Sequence, residues 1–205
     1  MVPPQPLALI RSYRIPFSTN VERISLAAGH KGLEIEWIDV DPEDRSPVEA
    51  VSGQPLVPVL VAGDEVVSDS PRILDWLEKR FPEPPLLPRD PARRAEVQIF
   101  ADWFNRVWKR FPNSIDDGTG DPAEHAAEMH RAVERFEALL SRRDYFFGEF
   151  GLADVTAFPF LKYASLGLQS GDTDSFHAVL AGQVPLRPDS PLHAWVARVD
   201  ARPRG

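Results

Sequence analysis

Apolar and polar residues change rhythm along this chain. Residues 7–13, "LALIRSY", form a short apolar run that reads as a buried strand. Val21, Ile24, Leu26, Ala27 and Ala28 then recur at helical spacing, with Gly32 placed to end the helix as its C′ residue. "LEIEWIDV" (33–40) alternates apolar and acidic residues with period two, the pattern of a second strand. A short helix follows in "RSPVEAVSG", where Ser46, Pro47 and Glu49 make a capping-box pattern and Gly53 stops it. "PLVPVLVAGDEVV" holds two apolar runs around Gly63-Asp64, a hairpin signal. "SDSPRILDWLEKRF" opens another helix, with Ser70 as N-cap, Pro71 at the first helical position, and Ile73, Leu74 and Leu77 facing inward. The order β-α-β-α-β-β-α predicts a parallel pair from the crossover and antiparallel strands from the hairpin.

Beyond residue 82 the pattern becomes purely helical. "PEPPLLPRDP" reads as a proline-rich linker. "ARRAEVQIFADWFNRVWKRF" is a long amphipathic stretch, and a second one starts at Asp121 as N-cap with Pro122 and Glu124 behind it. "LADVTAFPFLKYASLGL" is apolar enough to lie centrally, and "DSFHAVLAG" and "PLHAWVARVDAR" add two shorter helices. The expected organisation is an α/β domain over 1–82, a linker over 83–91 and an all-α helical bundle over 92–205.

Composition narrows the chemistry. The 205 residues carry a net charge of −8 without a dense Lys/Arg block, which argues against a nucleic-acid partner. There is no cysteine, so disulfides, thiolate metal sites and cysteine nucleophiles are excluded. The five histidines (30, 125, 130, 177, 193) lack metal-ligand spacing, and no metal or cofactor is expected. The N-terminus lacks the pattern of a signal peptide, and no apolar run nears the roughly 20 residues that span a bilayer. The expected location is cytoplasmic, with no membrane partner.

Three short stretches hold candidate chemistry. In "YRIPFSTNVER", Thr19 and Glu22 have capping-box spacing, so Thr19 is the expected N-cap. Ser18 then sits outside the helix with its hydroxyl uncommitted, either a plain turn serine or a donor to a ligand thiolate. Lowering a free thiol's pKa by about two units from about 8.5 requires roughly 2.7 kcal/mol, which one charge-assisted hydrogen bond and a helix terminus supply. In "LVPVL", Pro58 is either an edge-strand proline or a cis proline that turns the Val57 N–H and C=O toward a peptide ligand. In "VVSDSPRIL", the amides after Ser70 would suit a carboxylate and Asp69 an ammonium; simple capping explains the same residues. Trp103, Phe104, Trp108 and Phe111 recur at helical spacing, as core or as pocket lining.

Taken in order, these stretches resemble the cytosolic glutathione S-transferase family over nearly the whole chain. "FSTNVERISLAAGHKGLE" is similar to its catalytic loop and first helix, "GQPLVPVLV" to its cis-proline strand, and "DSPRILDWLEKRF" to its γ-glutamyl motif. "FFGEFGLADVTAFPFL" resembles its central capping box, with Gly151 where the family usually has Ser or Thr, Asp154 at N3, and Phe150 and Val155 as a staple. The resemblance implies a thioredoxin-like domain followed by a helical domain, usually a homodimer, and a glutathione transferase active in detoxification, with glutathione as co-substrate and a small hydrophobic electrophile as partner. It implies Ser18 as the catalytic residue, with Thr19, Asn20 and Tyr13 as alternatives. Gln54, Val57, Pro58, Asp69 and Ser70 would bind glutathione, and Phe17, Trp103, Phe104 and Trp108 would line the electrophile pocket between the domains. A second register, in which Ile15 takes the reactive position, leaves no catalytic side chain. The alternative functions are a non-catalytic binding or regulatory module of the same fold and a transferase using another low-molecular-weight thiol.

Overall fold

The computed structural model describes residues 9–205. The start of the first apolar run and the expectation drawn from the N-terminal residues lie partly outside that range. The chain forms two compact units, one up to Pro85 together with Pro203–Gly205, the other Leu86–Arg202.

The first unit contains β1 (Ile10–Arg14), α1 (Thr19–His30), β2 (Glu36–Asp39), α2 (Ser46–Ser52), β3 (Val59–Ala62), β4 (Glu65–Ser68) and α3 (Ser70–Arg80). The sheet order is β2-β1-β3-β4. β1 and β2 are parallel, while β1 with β3 and β3 with β4 are antiparallel. Gly63 takes φ +61° at the first central position of the two-residue β3–β4 turn, a conformation that glycine adopts without steric cost. Leu60 and Val59 on β3 are fully buried, as are Ile24, Leu26, Ala27 and Ala28 on α1 and Ile73 and Leu77 on α3.

α1 ends in a Schellman motif. Gly32 N–H donates to Gly29 C=O, Leu33 N–H donates to Ala28 C=O, and Gly32 takes φ +66°. Just before it, Lys31 turns its ammonium inward. The Nζ donates to Glu78 Oε2 at 2.7 Å and to the carbonyls of Phe81 at 2.6 Å and Pro84 at 3.0 Å. Three acceptors offset the desolvation of that charge. α2 corrects an expected boundary: Arg45 is its N-cap residue and Ser46 its first helical residue. Asp44 is the reason, since its carboxylate accepts from both Ser46 N–H and Ser46 Oγ–H. Residues 203–205 join this unit through Gly205, whose N–H donates to Ser25 C=O and whose carbonyl accepts from Trp37 Nε1–H at 2.8 Å.

The second unit contains α4 (Pro91–Trp103), a π-helical segment (Phe104–Trp108), α5 (Arg110–Asp116), α6 (Pro122–Leu139), α7 (Leu152–Leu161), α8 (Tyr163–Leu166), α9 (Ser175–Gln183) and α10 (Pro191–Asp200). The long amphipathic stretch is thus interrupted. Lys109 N–H donates to Phe104 C=O, one residue further back than in an α-helix. Pro112 lies in the next turn, with no N–H and with a ring that crowds the Trp108 carbonyl. The widened turn ends at that residue.

Asp154 organises the start of α7. Its carboxylate is almost completely buried and accepts from Phe146 N–H, Gly151 N–H and Trp195 Nε1–H at 2.8–3.1 Å. Burial pushes this carboxyl up to about 6, against the hydrogen bonds that hold it down, that of Trp195 foremost. Gly151, the N-cap, lies against Leu86, where Leu152 N–H donates to Leu86 C=O at 2.7 Å. A Cβ on Gly151 would meet that carbonyl oxygen at 2.6 Å. Glycine is therefore the residue this junction admits, although it lacks a capping side chain.

Two measurements follow from this junction. Gly151→Ser restores a capping hydroxyl worth about 1 kcal/mol but drives a Cβ into a backbone carbonyl, so urea titration should show a net loss of about 1–3 kcal/mol. Because the Asp154 pKa is raised on folding, its contribution is full below about pH 4 and is lost as pH rises through 6. The stability difference between wild type and Asp154→Asn should therefore shift against wild type between those values and stay level above pH 7.

Candidate functional site

Three corners of the first unit carry the candidate residues: the turn between β1 and α1, the loop between α2 and β3, and the junction of β4 with α3. The first corner begins at Tyr13 and Ile15, which pack with Val57 on a buried cluster of Val40, Val48 and Val59. Those contacts bring the end of β1 beside the loop that carries Val57. Phe17 then turns the chain with φ +62° and is 37% exposed.

Ser18 is the N-cap of α1, which corrects the expectation that Thr19 would be. Its Oγ accepts from Val21 N–H at 3.4 Å, and its own N–H donates to Ile15 C=O at 3.3 Å. Thr19 is the first helical residue and is buried, and Glu22 pairs instead with Arg204 at 3.3 Å. The extended backbone of Ser18 (φ −57°, ψ 116°) decides the outcome, because it aims that hydroxyl at the first turn. Accepting a hydrogen bond leaves the hydroxyl proton available as a donor.

At the second corner the Val57–Pro58 peptide is cis. Val57 is half-buried and Pro58 buried. The Gln54 side chain is engaged within its own loop. Its Nε2 donates to Ser52 Oγ and to Leu56 C=O, and its Oε1 accepts from Leu56 N–H at 2.7 Å. Gln54 therefore braces the approach to Val57.

At the third corner Asp69, not Ser70, is the N-cap residue of α3, held at φ +76° and exposed. A non-glycine residue at that φ stores backbone strain, which surrounding structure must hold in place. Ser70 follows as the first helical residue, and its hydroxyl points into the protein. It donates to Asn20 Oδ1 at 3.2 Å and accepts from Arg23 Nη1 at 3.3 Å. The same guanidinium nitrogen donates to Asn20 Oδ1 at 3.3 Å. Asn20, an alternative reacting residue in the sequence reading, is thereby held in this network. Arg23 is 1% exposed, and burial pushes its guanidinium down to about 9 against the attraction of Asp69. Sequence reasoning missed Arg23; the signal was a cation on the apolar stripe of α1.

The aromatic candidates of the second unit belong to its core. Phe104 and Trp108 have 0% exposure and stack at 4.5 Å between ring centroids, with Phe136 and Phe160 around them. Both are corrected from pocket lining to core, because neither ring reaches solvent and both pack on buried aromatic rings. Trp103 is half-buried beneath the Arg135 guanidinium, 5.8 Å from its ring. Among the described residues, no group of three or more His, Asp or Glu could hold a metal ion, and no helix is long and apolar enough to cross a membrane.

Two family models match: the glutathione S-transferase N-terminal domain over residues 13–85 and the C-terminal domain over 101–198. The chain is 26% identical over 146 residues to a probable glutathione S-transferase, parA, of Nicotiana tabacum, covering 69% of this chain and 66% of that one. It is 39% identical over 82 residues to Glutathione S-transferase Z1 of Arabidopsis thaliana, 38% of this chain and 37% of that one. Among solved structures, rice GST1 in complex with glutathione superposes with TM-score 0.76 at 25% identity, over 96% of this chain and 88% of that one.

The reassigned cap is directly measurable. Ser18→Ala should lose about 1 kcal/mol of unfolding free energy, whereas Thr19→Ser, at a position that makes no capping bond, should lose less than half of that. Equal losses in denaturant titration would return the cap to Thr19.

Proposed function

The chain belongs to the glutathione S-transferase family, and on that footing we propose that it binds glutathione, holds it as the thiolate and transfers it to a small apolar electrophile. The observation that carries this reading is the Ser18 hydroxyl, which caps α1 as an acceptor and keeps its proton for the thiolate. The amide-rich helix start behind it adds positive potential. The Val57 backbone would pair with the cysteinyl residue. The first-turn amides of α3 would take the γ-glutamyl carboxylate, and Asp69 its ammonium. Glutathione and an electrophile held together would then react as neighbours, with thiolate formation the chemical step that the protein itself assists.

Phe17, partly exposed beside Ser18, offers apolar surface to the electrophile. Pairing of two identical chains would cover the edge strand β4 and its exposed Val66. A role in detoxification and a cytoplasmic location accord with this reaction.

The test follows the thiol. Ultraviolet titration of bound glutathione should give a pKa about two units below the free thiol's roughly 8.5 in wild type. In Ser18→Ala it should return most of the way, with kcat for a dinitrohalobenzene reduced by about 100-fold, and Ser18→Thr should restore part of both. An unchanged thiol pKa in Ser18→Ala would remove Ser18 from the mechanism. Saturable glutathione binding with no turnover of any electrophile would favour a binding module over an enzyme.

A further inference from the structure

α1 buries Val21, Ile24, Leu26, Ala27 and Ala28, and Arg23 lies among them. A guanidinium taken from water costs stability unless it is well paired, and apolar residues of similar volume often serve the fold as well or better. This cation still carries its charge at neutral pH, because burial lowers its pKa only to about 9. Its position is specific. It donates to the Ser70 hydroxyl at the first turn of α3, and Asp69, its electrostatic partner, is the residue just before that turn. Asn20 Oδ1 closes the triangle by accepting from both the guanidinium and Ser70.

The triangle commits the Ser70 hydroxyl to the interior. What remains for a ligand at this corner are the backbone N–H groups of Ser70 and Arg72, since Pro71 has none and Ile73 N–H donates to Asp69 C=O. A helix start alone attracts an anion weakly, and its field fades within a turn. A fixed cation behind the helix start strengthens that field, because the surrounding protein screens it less than water would.

We infer that Arg23 is a positioning residue that selects the γ-glutamyl carboxylate of glutathione without touching it. It does so by anchoring Ser70 and by placing a buried positive charge behind the first turn of α3. This assignment rests on the glutathione reading above. It makes the free α-carboxylate of the γ-glutamyl end, rather than the thiol, the feature by which this corner discriminates among low-molecular-weight thiols.

The test compares two ligands on four proteins. The ligands are glutathione and its analogue with the γ-glutamyl α-carboxylate converted to the amide. The proteins are wild type, Arg23→Lys, Arg23→Gln and Arg23→Met, each checked for an intact fold by thermal unfolding. Wild type should prefer glutathione by calorimetry. Arg23→Gln and Arg23→Met should each lose about tenfold in glutathione affinity with little change for the amide, so that the preference collapses. Arg23→Lys, which keeps the charge but not the fork that holds Ser70 and Asn20, should fall measurably below wild type and stay above the neutral variants. In turnover, KM for glutathione should rise while kcat at saturation stays near wild type, a split that general loosening of the fold would not give. Should Arg23→Gln fail to fold, Arg23→Met carries the comparison, and if neither folds, the fall in preference from wild type to Arg23→Lys is decisive, its absence counting against the proposal. An undiminished preference in the neutral variants overturns the assignment of Arg23 alone. Wild type that fails to bind glutathione at millimolar concentration overturns the glutathione reading and this assignment with it.

Discussion

Two buried cations, Arg23 on α1 and Lys31 at its C-cap, tie α1 to both ends of α3, the two helices whose starts carry the candidate site. Each is buried, and a charge taken out of water must be given partners from the protein itself. The partners lie at opposite ends of α3. Arg23 reaches Ser70 at its start, and Lys31 reaches Glu78 and the Phe81 carbonyl at its end. Sliding α1 along α3 by a single turn would strand both charges, a penalty added to the register that the buried apolar faces of the two helices already favour. With that register set, the capped start of α1 and the first turn of α3 hold fixed positions in the same unit.

The helical unit obeys the same constraint through an anion. Asp154 gathers Phe146 and Gly151, just before it in the chain, and Trp195, 41 residues further on, around one carboxylate. The segment before α7 and the helix α10 are thereby tied together. Trp195 satisfies its indole N–H there while its ring stacks on Phe146 at 4.5 Å. The aromatic core built on that anchor takes up Phe104 and Trp108. Residues that in sequence could equally line a pocket become the filling of a closed interior.

Function and structure share residues at the three corners in an economical way. Ser18 serves the helix as an acceptor and remains a donor. Gln54 braces the loop that presents Val57. Ser70 gives its hydroxyl to the interior, next to the exposed Asp69. The candidate chemistry rests on hydrogen-bond donors held by elements whose own polar groups are already satisfied, the condition for preorganised binding without extra ordering cost.

Sequence alone determined the element order, the division into an α/β and a helical part, the Schellman glycine at 32 and the hairpin at Gly63-Asp64. These depend on local periodicity and on the φ that particular residues tolerate, and both are written in neighbouring positions. Asp154 was legible as a folding residue for the same reason, since a capping box is local. Which residue caps α1 was not, because Ser18, Thr19 and Glu22 satisfy two local patterns equally well. Only the path of the chain through Phe17, and Arg204 arriving to engage Glu22, separated them. What Arg23 and Lys31 do was not legible for a stronger reason. A buried charge is stable only where distant segments bring acceptors to it, and those segments meet only when the tertiary structure forms. The same holds for Gly151, whose missing side chain is explained by a carbonyl 65 residues away at Leu86 and by nothing in its own neighbourhood.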